Sequence, residues 1–285
     1  RSRKIEVINT AMTSVNSHVI YDVAKSIPAG PSTFAIILVG NNEVVGPYGP
    51  GTFNQTFLSN LSIIRLIQAI KRTRIWQAAN VLVGNLNPKN DKETLRWRGM
   101  QMFTDNNVAF DDPRLETVYE HYENNLSDTV LRLQDKGIHV LLSSVPVNLR
   151  DSAPFSSQHP PGLSDDALNT LNRQHQYSAA RFKDQRFQDA VNALNAAKAI
   201  APNYADTHYQ LGIAFEHLGQ NAESAEHFQQ ALDLDTLRFR ADTQINARIR
   251  RVAKQFNDTA FNFVDSETAF KRASQPKLPG WNLLL

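Results

Sequence analysis

The run FAIILV at 34–39 leads into GNNEVVGPYGPGT at 40–52, and this junction decides how the chain is read. Six apolar residues without alternation are what a strand of a parallel sheet, covered on both faces, should look like. Gly46, Pro47, Gly49, Pro50 and Gly51 are enough to turn the backbone after it. Asn41, Asn42 and Glu43 are more than a turn requires, so the end of the strand is a candidate site. A phosphate cradle does not fit, because no Lys-Ser/Thr follows and two prolines remove backbone donors. A metal site does not fit either, because Glu43 stands alone and none of the eight histidines forms an i, i+4 pair. Two readings remain. One is a capped turn in which Asn41 and Asn42 bond nearby backbone. The other is a donor site for developing negative charge, built from an amide side chain and backbone N–H groups.

Outward from this junction the rhythm is α/β. IEVIN (5–9) reads as a strand, and a helix follows from Ser14 or Asn16 to Lys25. Phe57 to Ile70 recur at helical spacing, whereas 80–110 lack a period and read as an insertion. Leu115, Val118, Tyr119, Tyr122, Leu126, Val130 and Leu133 define a long helix closed by Gly137. IHVLLSSVPV (138–147) and FNFVD (261–265) read as strands, with a helix over 241–256 between them. Alternating strands and helices imply an open parallel sheet, with ligands outside the carboxyl ends of the strands. Asn9–Ser14 and Gly40–Glu43 are then expected to converge.

Residues 163–238 interrupt this pattern with a period of their own. Ala190, Leu194, Ala197 and Pro202 recur as Ser224, Phe228, Ala231 and Thr236, each 34 residues later. Leu211, Gly212, Phe215 and Gly219 supply the other small and apolar positions of the second copy. The pattern resembles the tetratricopeptide repeat, one helical hairpin per 34 residues. In the first copy Ser178 and Arg181 stand where glycine and an aromatic are preferred. The expected domains are 1–162 and 239–285 for the α/β part and 163–238 for two repeats.

Composition adds bounds. Apolar residues make up 41% and charged residues 20% of the 285, with a net charge of +2. No basic stripe interleaved with aromatics points to nucleic acid. No cysteine is present, and no apolar run reaches the ~20 residues of a membrane span. The first residue is arginine and the last run is WNLLL, so both ends read as cut and the expectation is a fragment of a longer protein. The compartment stays open: envelope or secreted if a signal or anchor lies upstream, cytoplasmic otherwise.

Gly40-Asn41-Asn42-Glu43 resembles the G-x-N-D/E block of the SGNH (GDSL-type) hydrolases, and VIN-TAMTS resembles the block before it. "VPVNLRD" and "LRFRAD" after the repeats resemble a subgroup that joins this domain to tetratricopeptide repeats. The resemblance implies a flavodoxin-like, three-layer parallel sheet whose first strand is missing here, with the repeats as an all-α insertion. It implies an ester or acyl hydrolase without cofactor or metal. Asn42 would give its side-chain amide, and Ser14 its backbone N–H, to an oxyanion; the family has glycine at the latter position. Asn41, Glu43, Asn148 and Arg150 are candidate rim residues, with Asp151 beside them. Arg238, Arg240 and Asp242 are read as a cluster docking the repeats. His18 is a weak candidate base because it sits within a helix. The implied partners are an ester or acylated substrate, carbohydrate or lipid, and a protein bound by the repeats. The family's Gly-Asp-Ser nucleophile block and Asp-x-x-His base block are absent from the 285 residues. The same fold serves O-acyltransferases, and a non-catalytic interaction protein on a degenerate scaffold is the other reading.

Overall fold

The computed structural model describes residues 5–30, 32–52, 57–86, 106–276 and 278–284. In chain order the described elements are α1 (Ser17–Ser26), β1 (Phe34–Ile37), α2 (Leu61–Lys71), α3 (Arg74–Leu86), α4 (Arg114–Gln134) and β2 (His139–Ser143). The helices α5 (Asp165–Lys183), α6 (Phe187–Ile200), α7 (Ala205–His217) and α8 (Asn221–Asp233) follow. The chain then returns through α9 (Thr243–Ala253), β3 (Phe261–Val264) and α10 (Ser266–Ala273). The protein is thus a mixed α/β chain with a small parallel sheet and a helical repeat region. Part of the expected insertion, 87–105, lies outside the described residues.

The sheet has the order β1-β2-β3, all parallel, with Phe34 opposite His139 and Val140 opposite Phe261. Side chains alternate across it. Ile37, Val39, Val140, Leu142 and Phe261 form the core with the inward stripe of α4 and with Ile245, Ile249 and Val252 of α9. All seven apolar positions read from the sequence of α4 are buried. Gly137 closes that helix with φ 72; its N–H donates to Gln134 O, and the Ile138 N–H donates to Leu133 O.

Two expectations are corrected. FAIILV is not covered on both faces: Phe34, Ile36 and Leu38 are 75%, 76% and 60% exposed. Among the described residues nothing covers that face, so there the sheet is two-layered at β1 and not three-layered. IEVIN is no strand either. It is unpaired among the described residues, with Ile5 and Val7 more than 80% exposed. A β-branched run becomes a strand only where a neighbour takes its backbone bonds and side chains. On α2, Leu66 and Ile70 point outward, and Ile64 alone is fully buried.

The helices α5–α6 and α7–α8 form two hairpins, as the 34-residue period predicts. Ala190, Leu194, Ala197, Phe228 and Ala231 are buried, and Phe215 packs partly buried against the core formed by Val191, Leu194 and Leu211. The two copies solve the same contact with opposite residue sizes. A Cβ on Gly212 would lie 2.9 Å from the Phe228 ring, so the bulky ring needs a glycine. One period earlier the pair is Ser178 and Leu194, both fully buried. There the smaller leucine leaves room for a serine, whose hydroxyl bonds His175 O at 2.8 Å.

The hairpin turns also correspond. Gly219 has φ 74, and Gln185, 34 residues earlier, has φ 57. A side chain in this left-handed region costs about 1–2 kcal/mol, partly offset by the greater freedom glycine has in the unfolded chain. Gln185→Gly should therefore raise stability by about 0.5–1 kcal/mol, and Gly219→Ala should lower it by about 1 kcal/mol. Urea unfolding of both variants checks the pair. A loss of stability in Gln185→Gly would mean that the Gln185 side chain stabilises the turn.

Candidate functional site

The carboxyl end of β1 continues to Gly40, held between α9, α4 and the end of β2. A Cβ there would lie 2.7 Å from Ile245 Cγ2, 3.1 Å from Val145 Cγ2 and 3.4 Å from the Tyr122 hydroxyl. Tyr122, fully buried, donates to Val39 O at 2.7 Å. Only glycine brings the strand end this close.

The next residues are fixed by their backbones. The Asn41 side-chain oxygen accepts from Ala241 N at 2.9 Å, so Asn41 acts as the backbone-bonding amide of the capped-turn reading. Asn42 has φ 64; its N–H donates to Phe239 O at 3.2 Å, and its carbonyl accepts from Gly46 N at 2.7 Å. Its half-buried side-chain amide has no hydrogen-bond partner among the described residues.

Glu43 points the other way, into the protein, and is 5% exposed. Its Oε1 accepts from the Ser17 N–H and its Oε2 from the Ser17 hydroxyl, both at 2.8 Å. This carboxyl serves the first turn of α1, whose N-cap Asn16 makes no side-chain cap. The Asn16 amide instead donates to Pro47 O at 2.8 Å. The loop at 42–47 and the start of α1 are thereby tied together. Ser14 precedes this helix in an exposed turn with φ 61, the left-handed conformation that favours glycine.

Behind Glu43 lies a network that the sequence reading missed. Asn125 Nδ2 lies 3.2 Å from Ser17 Oγ and 3.0 Å from His18 Nδ1, and its oxygen accepts from Arg65 at 3.0 Å. An amide NH₂ only donates, so His18 Nδ1 accepts and the imidazole is neutral with its proton on Nε2. His18 is thus committed within the interior of the helix pair. The available signal was Asn125 itself, a polar residue on the buried stripe of α4.

The other candidates face the repeats. Asn148 Oδ1 accepts from Asp151 N at 2.9 Å and caps a turn. Arg150 Nε bonds both oxygens of Glu216 on α7 at 3.0 and 2.9 Å, and Asp151 accepts from Trp281 N. Arg240 bonds Ser152 O and Asp235, while Arg238 bonds Asp242, Val108 O and Asp233 O. The LRFRAD segment therefore joins the repeats to the α/β part. Among the described residues no group of three or more His, Cys, Asp or Glu side chains is arranged to hold a metal ion.

Residues 205–236, which form α7 and α8, match the family model of the tetratricopeptide repeat. No curated protein and no solved structure matches the chain.

Burial pushes the Glu43 carboxyl up to about 8 against the pull of its two Ser17 bonds. A raised carboxyl pKa means that the folded state holds the proton more tightly than the unfolded state does. The resulting stability is complete below the unfolded value of 4.5 and is lost as pH rises through about 8. His18 is pushed down to about 3 by burial, then by His121 and Arg65, so its neutral form adds stability that disappears on acidification. Melting curves of wild type and Glu43→Gln should therefore diverge as pH rises from about 4.5 to about 8. The wild type should lose stability across that window, and the variant should lose less. Parallel curves would place the Glu43 titration elsewhere.

Proposed function

We propose that this chain carries the oxyanion-binding part of an SGNH-type ester or acyl hydrolase, joined to a repeat module that binds protein. The observation that carries the reading is Asn42. Its backbone is bonded on both sides at the carboxyl end of a parallel strand, and its side-chain amide is unclaimed. A donor that is already fixed stabilises a developing oxyanion without reorganising. The left-handed Ser14 offers the second donor, its backbone N–H, as the resemblance implies. On this reading the α/β domain comprises 1–162 and 239–285, flavodoxin-like with a further strand beside β1, and the repeats occupy 163–238.

Residues 1–285 hold neither a Gly-Asp-Ser nor an Asp-x-x-His sequence. The reading thus requires polypeptide outside them to bring the nucleophile and the base. Serine attack on the ester carbonyl, with histidine taking the serine proton and giving it to the alcohol that departs as the C–O bond breaks, would give an acyl-enzyme. Water would release it in a hydrolase and a sugar hydroxyl in an O-acyltransferase. A substrate with an acylated carbohydrate or lipid suits either outcome. The repeat matched at 205–236 supports a protein-interaction module, which is common to this reading and to the second one, an interaction protein on a catalytically silent scaffold.

Kinetics on the parent protein with an activated ester separate these. Asn42→Ala should lower kcat by roughly 10²–10³-fold, the effect of losing one oxyanion donor. KM and the melting temperature should change little. An early-melting variant with normal turnover would make Asn42 a structural cap. A parent without esterase or acyltransfer activity would favour the interaction protein.

A further inference from the structure

The α2–α3 segment has a one-sided charge and an uncovered apolar surface. No aspartate or glutamate stands between Glu43 and Asp91, whereas Arg65, Lys71, Arg72 and Arg74 cluster at 65–74. Among the described residues the helix α2 is fastened along one side only. Ile64 is fully buried, Arg65 bonds Asn125 and pairs with Asp128, and Gln68 donates to His18 O. On its other side Ile63, Leu66 and Ile70 are 48%, 60% and 43% exposed.

The exposure continues through α3. Ile75 is 82% exposed, Val81 and Leu82 more than 60%, and Trp76 38%. Between 75 and 82 the polar side chains are only Gln77 and Asn80. Arg72 is committed to Asp22 at 2.9 Å and to Ser26. Lys71 and Arg74, at the junction of the two helices, form no ion pair among the described residues.

A specific protein interface surrounds its apolar centre with a polar rim and about one hydrogen bond per 100–200 Å². This surface offers few such groups. It offers Lys71, 5.9 Å from the Tyr48 ring, and Arg74, neither in an ion pair among the described residues, with an exposed tryptophan and a largely apolar helix, the pattern of a helix lying in a lipid interface. No described helix is long and apolar enough to cross a membrane, and α2 and α3 have 11 and 13 residues. We propose that the α2–α3 face docks in the plane of an anionic lipid surface. Ile75, Trp76, Val81 and Leu82 enter the boundary between headgroups and acyl chains, and Lys71 and Arg74 meet the lipid phosphates. This docking does not depend on the hydrolase reading.

The test is flotation of the purified chain with vesicles of phosphatidylcholine alone and of phosphatidylcholine mixed with phosphatidylglycerol. Binding is expected to the mixed vesicles, weakening as salt rises. Each cation near an anionic surface contributes about 1 kcal/mol, so Lys71→Gln with Arg74→Gln should weaken binding about 30-fold. Ile75→Ser with Leu82→Ser should abolish it while the melting temperature holds, because these side chains are already exposed. A blue shift of tryptophan emission on binding should vanish in Trp76→Phe. Equal binding to both vesicle types, unchanged affinity in the charge variant, or a shift that survives Trp76→Phe would overturn the proposal. So would the absence of binding to the mixed vesicles, whether alone or together with self-association in ultracentrifugation that Ile75→Ser with Leu82→Ser removes. The self-association would assign the face to a second copy of the chain.

Discussion

The arrangement of this protein hangs on one buried carboxylate, Asp242. Its Oδ1 accepts from Ile245 N at 2.9 Å and begins α9. Its Oδ2 receives Arg238 at 3.0 Å and the Tyr119 hydroxyl at 2.5 Å. Arg238 in turn holds Val108 O and Asp233 O, the last residue of α8. Three helices and the loop before α4 thus meet at one charge. Burial, then the neighbouring carboxylate, holds the Tyr119 phenol protonated far above its usual range. Removing one partner of such a buried pair strands the other, at a cost of about 3–5 kcal/mol. The same node sets the backbone of Phe239 to Ala241, which receives the Asn42 N–H and donates to Asn41. The candidate site is therefore positioned from the far side of the repeat insertion.

The path from repeat to site is short. The α8 helix ends at Asp233, and Asp235 follows, accepting from the Phe155, Ser156 and Leu237 N–H groups while pairing with Arg240. Residues 234–242 are thus bonded both to α8 and to the loop at 155–156. On the opposite side, Glu43 and Asn16 hold the same loop to α1. The loop at 40–47 is clamped between two elements that are far apart in sequence.

This division explains what the sequence disclosed. The repeat was legible because close helix packing restricts residue size at fixed intervals, and Gly212 against Phe228 is such a restriction. The later strands were legible because β2 and β3 carry apolar residues toward one core. IEVIN and the outer half of FAIILV misled because apolar, β-branched residues look the same whether or not a neighbour covers them. At the site, Gly40 to Glu43 stood out by composition, and the left-handed turn at Ser14 followed from the resemblance. The partners did not stand out. Ser17 lies 26 residues from Glu43, Ala241 lies 200 from Asn41, and Asn125 looked like one more polar residue in a long helix. Local patterns reveal an element's type, but a buried hydrogen bond between distant segments leaves no local mark.

Gly40 has a consequence for how such a chain can change over time. Its missing side chain and the Ile245 methyl occupy the same few ångströms, so their sizes are linked across two hundred residues. A methyl lost at 245 would remove one of these contacts, yet Val145 Cγ2 at 3.1 Å and a φ of 155 would still strain any side chain at position 40. Change at 245 therefore does not open position 40 to change. Mutational routes through this corner of the fold can vary the helix but keep the glycine.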